Sequence, residues 1–136
     1  MTATRIKYPQ NSRSLSGVAS SRKPTRKLAR PRSVEVGKDG KNKLERRYGL
    51  EVLEPKLFTK EILSYQFESL KFKLAKRTFY TPDYVVVTPT HIEIHEVKGF
   101  WEDDARVKIK VVAELNPHFL FVAIQHKKGQ WIKEAF

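Results

Sequence analysis

The stretch Tyr80-Thr81-Pro82-Asp83-Tyr84-Val85-Val86-Val87-Thr88-Pro89-Thr90-His91-Ile92-Glu93-Ile94-His95-Glu96-Val97-Lys98 carries two strands and the turn between them. His91 to Lys98 alternates with the period of two that marks a strand. Ile92, Ile94, Glu96 and Lys98 share one face, and His91, Glu93, His95 and Val97 share the other. Tyr80 to Thr88 forms the preceding strand, on which Asp83, Val85 and Val87 share a face. Thr88-Pro89-Thr90 joins the two as a hairpin, which brings Asp83 and Glu96 to its open end. Each apolar stripe therefore terminates in a carboxylate, and one runs on to an ammonium. Burying such charges is costly unless they pair or hold a metal.

Two carboxylates at one point suit Mg²⁺, a hard cation that takes oxygen ligands and keeps several waters; Mn²⁺ is expected to substitute. An ion there can orient a phosphate, lower the pKa of a bound water and stabilise a leaving oxygen. Lys98 approaches the same point, where it would align the attacking water or offset charge in the transition state. The competing reading is an ordinary Asp–Lys or Glu–Lys pair at the rim of a sheet, because Asp…Glu-x-Lys is a short pattern.

The 136 residues suffice for one domain with a tail. No cysteine is present, which excludes disulfides, thiolate metal sites and thiol catalysis. No apolar run approaches the length needed to cross a membrane. The formal charge is +12 and is unevenly spread. Residues 1–40 hold 10 basic and 2 acidic side chains, against 17 and 13 in residues 41–136. That balance favours a polyanionic partner, with nucleic acid the first expectation. A cytoplasmic location is expected, in the bacterial host cell if the chain is phage-encoded.

Residues 1–40 read as a flexible basic arm ahead of a core domain over 41–136. Their scattered apolar residues have no period, and Pro24 and Pro31 favour extended backbone before them. Arg26, Lys27, Arg30 and Arg32 are the candidates to follow a phosphate backbone or enter a minor groove. A solubilising tail and an organelle transit peptide are the alternatives.

Within the core, Asn42 and Glu45 form a capping box at the start of a helix. Leu44, Tyr48, Val52 and Leu53 make its apolar stripe, and Pro55 is expected to end it. Ile62 to Phe67 and Leu70 to Leu74 read as strand, united into one by a bend at Glu68-Ser69. Glu102 to Asn116 is ambiguous between strand and helix. The acids Glu102, Asp103 and Asp104 at its start favour a helix buried through Ala105, Ile109, Val112 and Ala113. Phe119 to Gln125 is a buried strand. The order helix-strand-strand-strand-helix-strand defines an α/β domain, a mixed α+β sheet flanked by helices.

This order, with Glu45, Asp83, Glu96 and Lys98 in place, resembles the PD-(D/E)XK nuclease superfamily. More narrowly, it resembles small phage-type endodeoxyribonucleases with a restriction-endonuclease-like core. The strings that carry the likeness are Asn42-Lys43-Leu44-Glu45, Tyr65-Gln66, Tyr80-Thr81-Pro82-Asp83-Tyr84, Glu96-Val97-Lys98-Gly99-Phe100-Trp101 and Asp103-Asp104-Ala105-Arg106-Val107-Lys108. The resemblance implies that Asp83, Glu96 and the Val97 carbonyl hold the metal, with Glu45 holding it directly or through water. Lys98 would be the catalytic lysine, and attack by water would leave a 5′-phosphate. Gln66 would orient a ligand or phosphate, and Arg106 and Lys108 would contact DNA. Lys110 shares a helix face with Arg106 and joins that basic surface.

The expected activity is Mg²⁺-dependent DNA cleavage in phage DNA processing inside a bacterial host. Branched or junction DNA is one substrate class, and a homodimer is expected because cutting two strands takes two sites. Two other classes stay open: a non-catalytic basic DNA-binding protein on the same fold, and an exonuclease or RNA-directed nuclease. His91 and His95 read as solvated or DNA-facing, Trp101 as packing or base-stacking, and Trp131 as core.

Overall fold

A computed structural model describes residues 35–136. The arm residues Arg26, Lys27, Arg30 and Arg32 lie outside the described residues. Val36 bridges Asn42 in a short turn, and Asp39 pairs with Arg46 at 2.6 Å. That pair ties the turn to the first helix.

Helix α1 (Lys43–Tyr48) starts at Asn42 with the capping box formed in full. The Asn42 side chain accepts from the Glu45 backbone N–H at 2.9 Å, and Glu45 accepts from the Asn42 backbone N–H at 2.8 Å. The helix does not end before Pro55, contrary to the sequence expectation. A π-helical turn over Gly49–Leu53 leads into α2 (Glu54–Phe58), with Pro55 in the first turn of α2. The i→i+5 register, seen in the Glu54 N–H donating to the Gly49 carbonyl, absorbs the missing donor that would otherwise break the helix. Gly49 has a second reason to be glycine. A Cβ there would stand 2.9 Å from the Tyr84 hydroxyl, which donates to the Glu45 carbonyl at 2.8 Å.

The strands are β1 (Ser64–Phe67), β2 (Phe72–Ala75), β3 (Thr78–Tyr80), β4 (Tyr84–Val87), β5 (Ile92–Lys98), β6 (Leu120–Lys127) and β7 (Gln130–Ala135). Helix α3 (Asp103–Leu115) connects β5 to β6. Among the described residues the main sheet has the order β1-β4-β5-β6-β7, mixed because β5 and β6 are parallel and the other pairs antiparallel. The α+β class and the mixed sheet expected from the pattern are both present.

Two expected strands divide differently. Ile62–Leu74 is not one bent strand: β1 joins the main sheet, while β2 pairs with β3 in a separate hairpin. Glu68, at φ 45°, turns the chain out of the sheet. Likewise Tyr80–Thr88 is split at Thr81-Pro82-Asp83, so Asp83 immediately precedes β4 instead of lying inside it. Pro82 lacks the N–H that a continuous ladder would use.

The sheet buries a core on each face. On one side Tyr84, Val86, Val97, Val122 and Ile124 pack under Tyr48 and Leu53. On the other, Val85, Ile94, Phe121 and Ala123 pack under Ile109 and Val112 of α3 and under Phe72 and Tyr80 of the hairpin. Burying both faces explains why β4 and β6 read as near-continuous apolar runs. No helix among the described residues is long and apolar enough to cross a membrane.

Candidate active site

The β4–β5 register pairs Tyr84 with His95, which sets Asp83 opposite Glu96 as the hairpin reading expects. Both carboxylates are only 8% exposed. Asp83 Oδ2 accepts the Val97 backbone N–H at 2.6 Å, which fixes the carboxylate against β5. Glu96 is held at both oxygens. Lys98 Nζ lies 3.0 Å from Oε1, and the Tyr80 hydroxyl donates to Oε2 at 2.8 Å. Asp83, Glu96 and Lys98 thus meet on the α3 face at one end of the sheet, with Tyr80 of β3 closing over them.

Burial pushes the Asp83 carboxyl well above the usual carboxylate range, and the Glu96 charge adds to the shift. Burial opposes the charge on Lys98, yet the Glu96, Asp83 and Glu45 carboxylates outweigh it and hold its pKa above the ordinary value. Without metal, Lys98 is therefore a cation that donates hydrogen bonds. Tyr80 is raised by burial and by Glu96, so its hydroxyl keeps its proton and remains a donor.

Glu45 stands apart in its bonding. Both of its oxygens are engaged by Asn42, through the backbone N–H and the side-chain amide. Its pKa is nonetheless raised, chiefly by burial and further by Glu68 and Glu96, with Lys98 opposing. It lies within electrostatic reach of the pair while serving as the helix cap. Among the described residues, no three His, Asp or Glu side chains converge closely enough to enclose a metal ion. The donor chemistry still fits a hard cation: two buried carboxylates face each other, and Asp83 Oδ1 takes no hydrogen bond from the described residues.

Of the other candidates, Gln66 is exposed on edge strand β1, opposite Val85, and bonds to none of the cluster. Arg106 is already paired, with Glu134 at 2.6 Å and with its guanidinium 5.7 Å from the Phe136 ring centre. Lys108 and Lys110 are exposed, and Lys108 lines the same cavity as Glu96 and Lys98.

His95 is not solvated, as its alternating position implied, but fully buried. Its Nδ1 meets the Tyr48 hydroxyl at 2.9 Å and its Nε2 meets Glu93 at 2.7 Å. Glu93 also takes His91 Nε2 at 2.9 Å. The sequence reading missed this chain, and it missed Tyr80. A tyrosine three residues before the key aspartate was the available signal, but only the β2–β3 hairpin turns it onto Glu96.

The chain matches no family model, no curated protein and no solved structure.

Proposed function

We propose that this chain is a Mg²⁺-dependent endonuclease that hydrolyses DNA phosphodiester bonds from a restriction-endonuclease-like core, as the resemblance implies. The observation that carries this reading is the buried Asp83–Glu96 pair with Lys98 at its edge. Two acids removed from water and aimed at one point repel each other, and a divalent cation converts that cost into binding.

Asp83, Glu96 and the Val97 carbonyl would hold the ion, with Glu45 joining if it releases Asn42. A bound ion of this kind supplies Lewis-acid stabilisation and a more acidic water. Lys98, being protonated, supplies hydrogen bonds to the attacking water or to a non-bridging phosphate oxygen. Tyr80 keeps Glu96 from swinging away, and the Val97 N–H does the same for Asp83. The net charge of +12 supports a polyanionic substrate. Two copies about a two-fold axis would present one site to each strand of a duplex or branched DNA.

The test is plasmid nicking with Mg²⁺ or Mn²⁺, repeated in EDTA. Asp83→Asn and Glu96→Gln are expected to abolish nicking and to leave DNA affinity in EDTA intact. Persistent nicking by Asp83→Asn would sink the reading. One observation favours a second reading, a non-catalytic DNA-binding protein on this fold: Glu45 is used up as a helix cap. That reading expects salt-dependent binding and no cleavage with either metal. Linear, single-stranded and RNA substrates run alongside would separate exonuclease or RNA-directed activity.

A further inference from the structure

Beside the carboxylates lies a cavity of about 490 Å³, and its walls are unusual for a site expected to meet phosphates. Phe79, Phe100 and Trp101 line it together with Glu96, Lys98 and Lys108. Phe100 is 74% exposed and Phe79 is 47% exposed. Leaving two phenyl rings in water at one cavity costs stability that core packing would have recovered. Phe79 also carries the Lys71 ammonium 4.8 Å from its ring centre, so a cation sits at one wall.

The charges in the cavity decide what it receives. Lys98 is paired with Glu96, and Lys108 shares the lining with two more acids, Glu102 and Asp104. A recess with three acids against two bases is a poor cradle for a polyanionic backbone. It is a good one for a nucleobase, which is flat, uncharged and bears amino groups that carboxylates accept from. Bases stack on aromatic side chains irrespective of sequence, and a paired base inside a duplex cannot reach such a wall.

We infer that Phe79, Phe100 and Trp101 form a stacking recess for an unpaired base next to the scissile phosphate, so that the substrate is DNA that is single-stranded or locally unpaired at the cut. This rests on the nuclease reading for the position of the cut, but the recess is tested without cleavage. Labelled single-stranded, bulged and fully paired oligonucleotides are titrated in EDTA and followed by anisotropy. Phe100→Ala should weaken binding of the single-stranded and bulged oligonucleotides about tenfold and leave the paired one unchanged. Phe100→Trp should restore it, and Phe79→Ala should act in the same direction. Phe100 is exposed, so its removal leaves the core intact.

Equal loss on all three oligonucleotides, or no loss on any, overturns the inference. If the selective loss appears but Mg²⁺ produces no nicking, the recess stands and the nuclease reading falls. If nicking is robust but indifferent to Phe100→Ala and to pairing at the cut, the nuclease reading stands and the recess falls.

Discussion

The two faces of β5 bury polar groups in opposite ways. On the α1 face, Tyr48, His95, Glu93 and His91 form a continuous hydrogen-bonded chain. It ends at the Thr88 and Thr90 hydroxyls, 3.0 and 2.8 Å from His91 Nδ1. One assignment gives every group a partner: Tyr48 donates to Nδ1 of a neutral His95, whose Nε2–H donates to Glu93. On the α3 face, Asp83 and Glu96 confront each other, with Lys98 and the donors Tyr80 and Val97 in attendance. A complete chain stabilises the fold and leaves nothing to bind. An acid pair short of cations is an arrangement a fold tolerates where a ligand completes it.

Substitutions at corresponding depth on the two faces should therefore separate stability from activity, and this is the largest effect expected. His95→Ala removes two buried hydrogen bonds and leaves Tyr48 and Glu93 without partners. It should cost about 3 kcal/mol of unfolding free energy, measured in urea, while the remaining folded protein retains its cleavage rate. Asp83→Asn should do the reverse, leaving metal-free stability equal or higher while nicking disappears. If Asp83→Asn unfolds the protein as severely as His95→Ala, both faces are structural and the contrast between them is void.

The same contrast gives opposite pH dependences. The folded pKa of Asp83 lies above its unfolded value. Its contribution to stability is therefore full below the ordinary carboxylate pKa and is lost as pH rises through the raised folded value. Glu93 is held down to about 2, chiefly by its hydrogen bond to His95, so its contribution is present above the ordinary carboxylate pKa and lost as pH falls through about 2. Burial holds His95 neutral, and its part is lost as pH falls below the ordinary imidazole range. Urea unfolding from pH 4 to 9 without metal should show a decline of at most about 1.4 kcal/mol per pH unit, running from the ordinary carboxylate pKa up to the raised value of Asp83 and levelling off above it. Asp83→Asn should remove that decline, and saturating Mg²⁺ should offset it. A decline untouched by either change would assign it to another group. Lys133 is not that group: burial and Lys56 lower it to about 8, and a lysine lowered on folding adds stability as pH rises toward its ordinary value.

Much of this contrast was legible in the chain before folding. Alternation from His91 to Lys98 assigned its two faces, and the Thr88-Pro89-Thr90 turn put Asp83 across from Glu96. The Asn42–Glu45 box and the acids ahead of α3 announced both helix starts through local hydrogen bonding and charge. What stayed hidden depends on partners distant in sequence or on backbone register. Pro55 reads as a stop unless the π-turn before it is known. The detachment of β2 depends on the positive φ of Glu68, a conformation that a non-glycine residue does not advertise. His95 alternates like a surface residue, and only Tyr48, 47 positions earlier, makes its burial tolerable. Glu45 was read both as a cap and as a ligand; its hydrogen bonds are those of a cap.

The smallest expected effect concerns the basic residues of α3, which the sequence grouped as one DNA-facing surface. Arg106 is engaged by Glu134 and Phe136, whereas Lys108 is exposed at the cavity beside Lys98. A cation that must first abandon a carboxylate contributes less to phosphate binding than a free one, because the pair it breaks offsets the pair it makes. Lys108→Ala should therefore weaken DNA binding and reduce the slope of log affinity against log salt by about one. Arg106→Ala should change the slope by clearly less. Glu134→Gln, which frees Arg106, should strengthen binding and steepen the slope. If Arg106→Ala carries the larger change and Glu134→Gln has none, the Arg106–Glu134 pair yields to DNA at no cost, and the two residues belong to one surface after all.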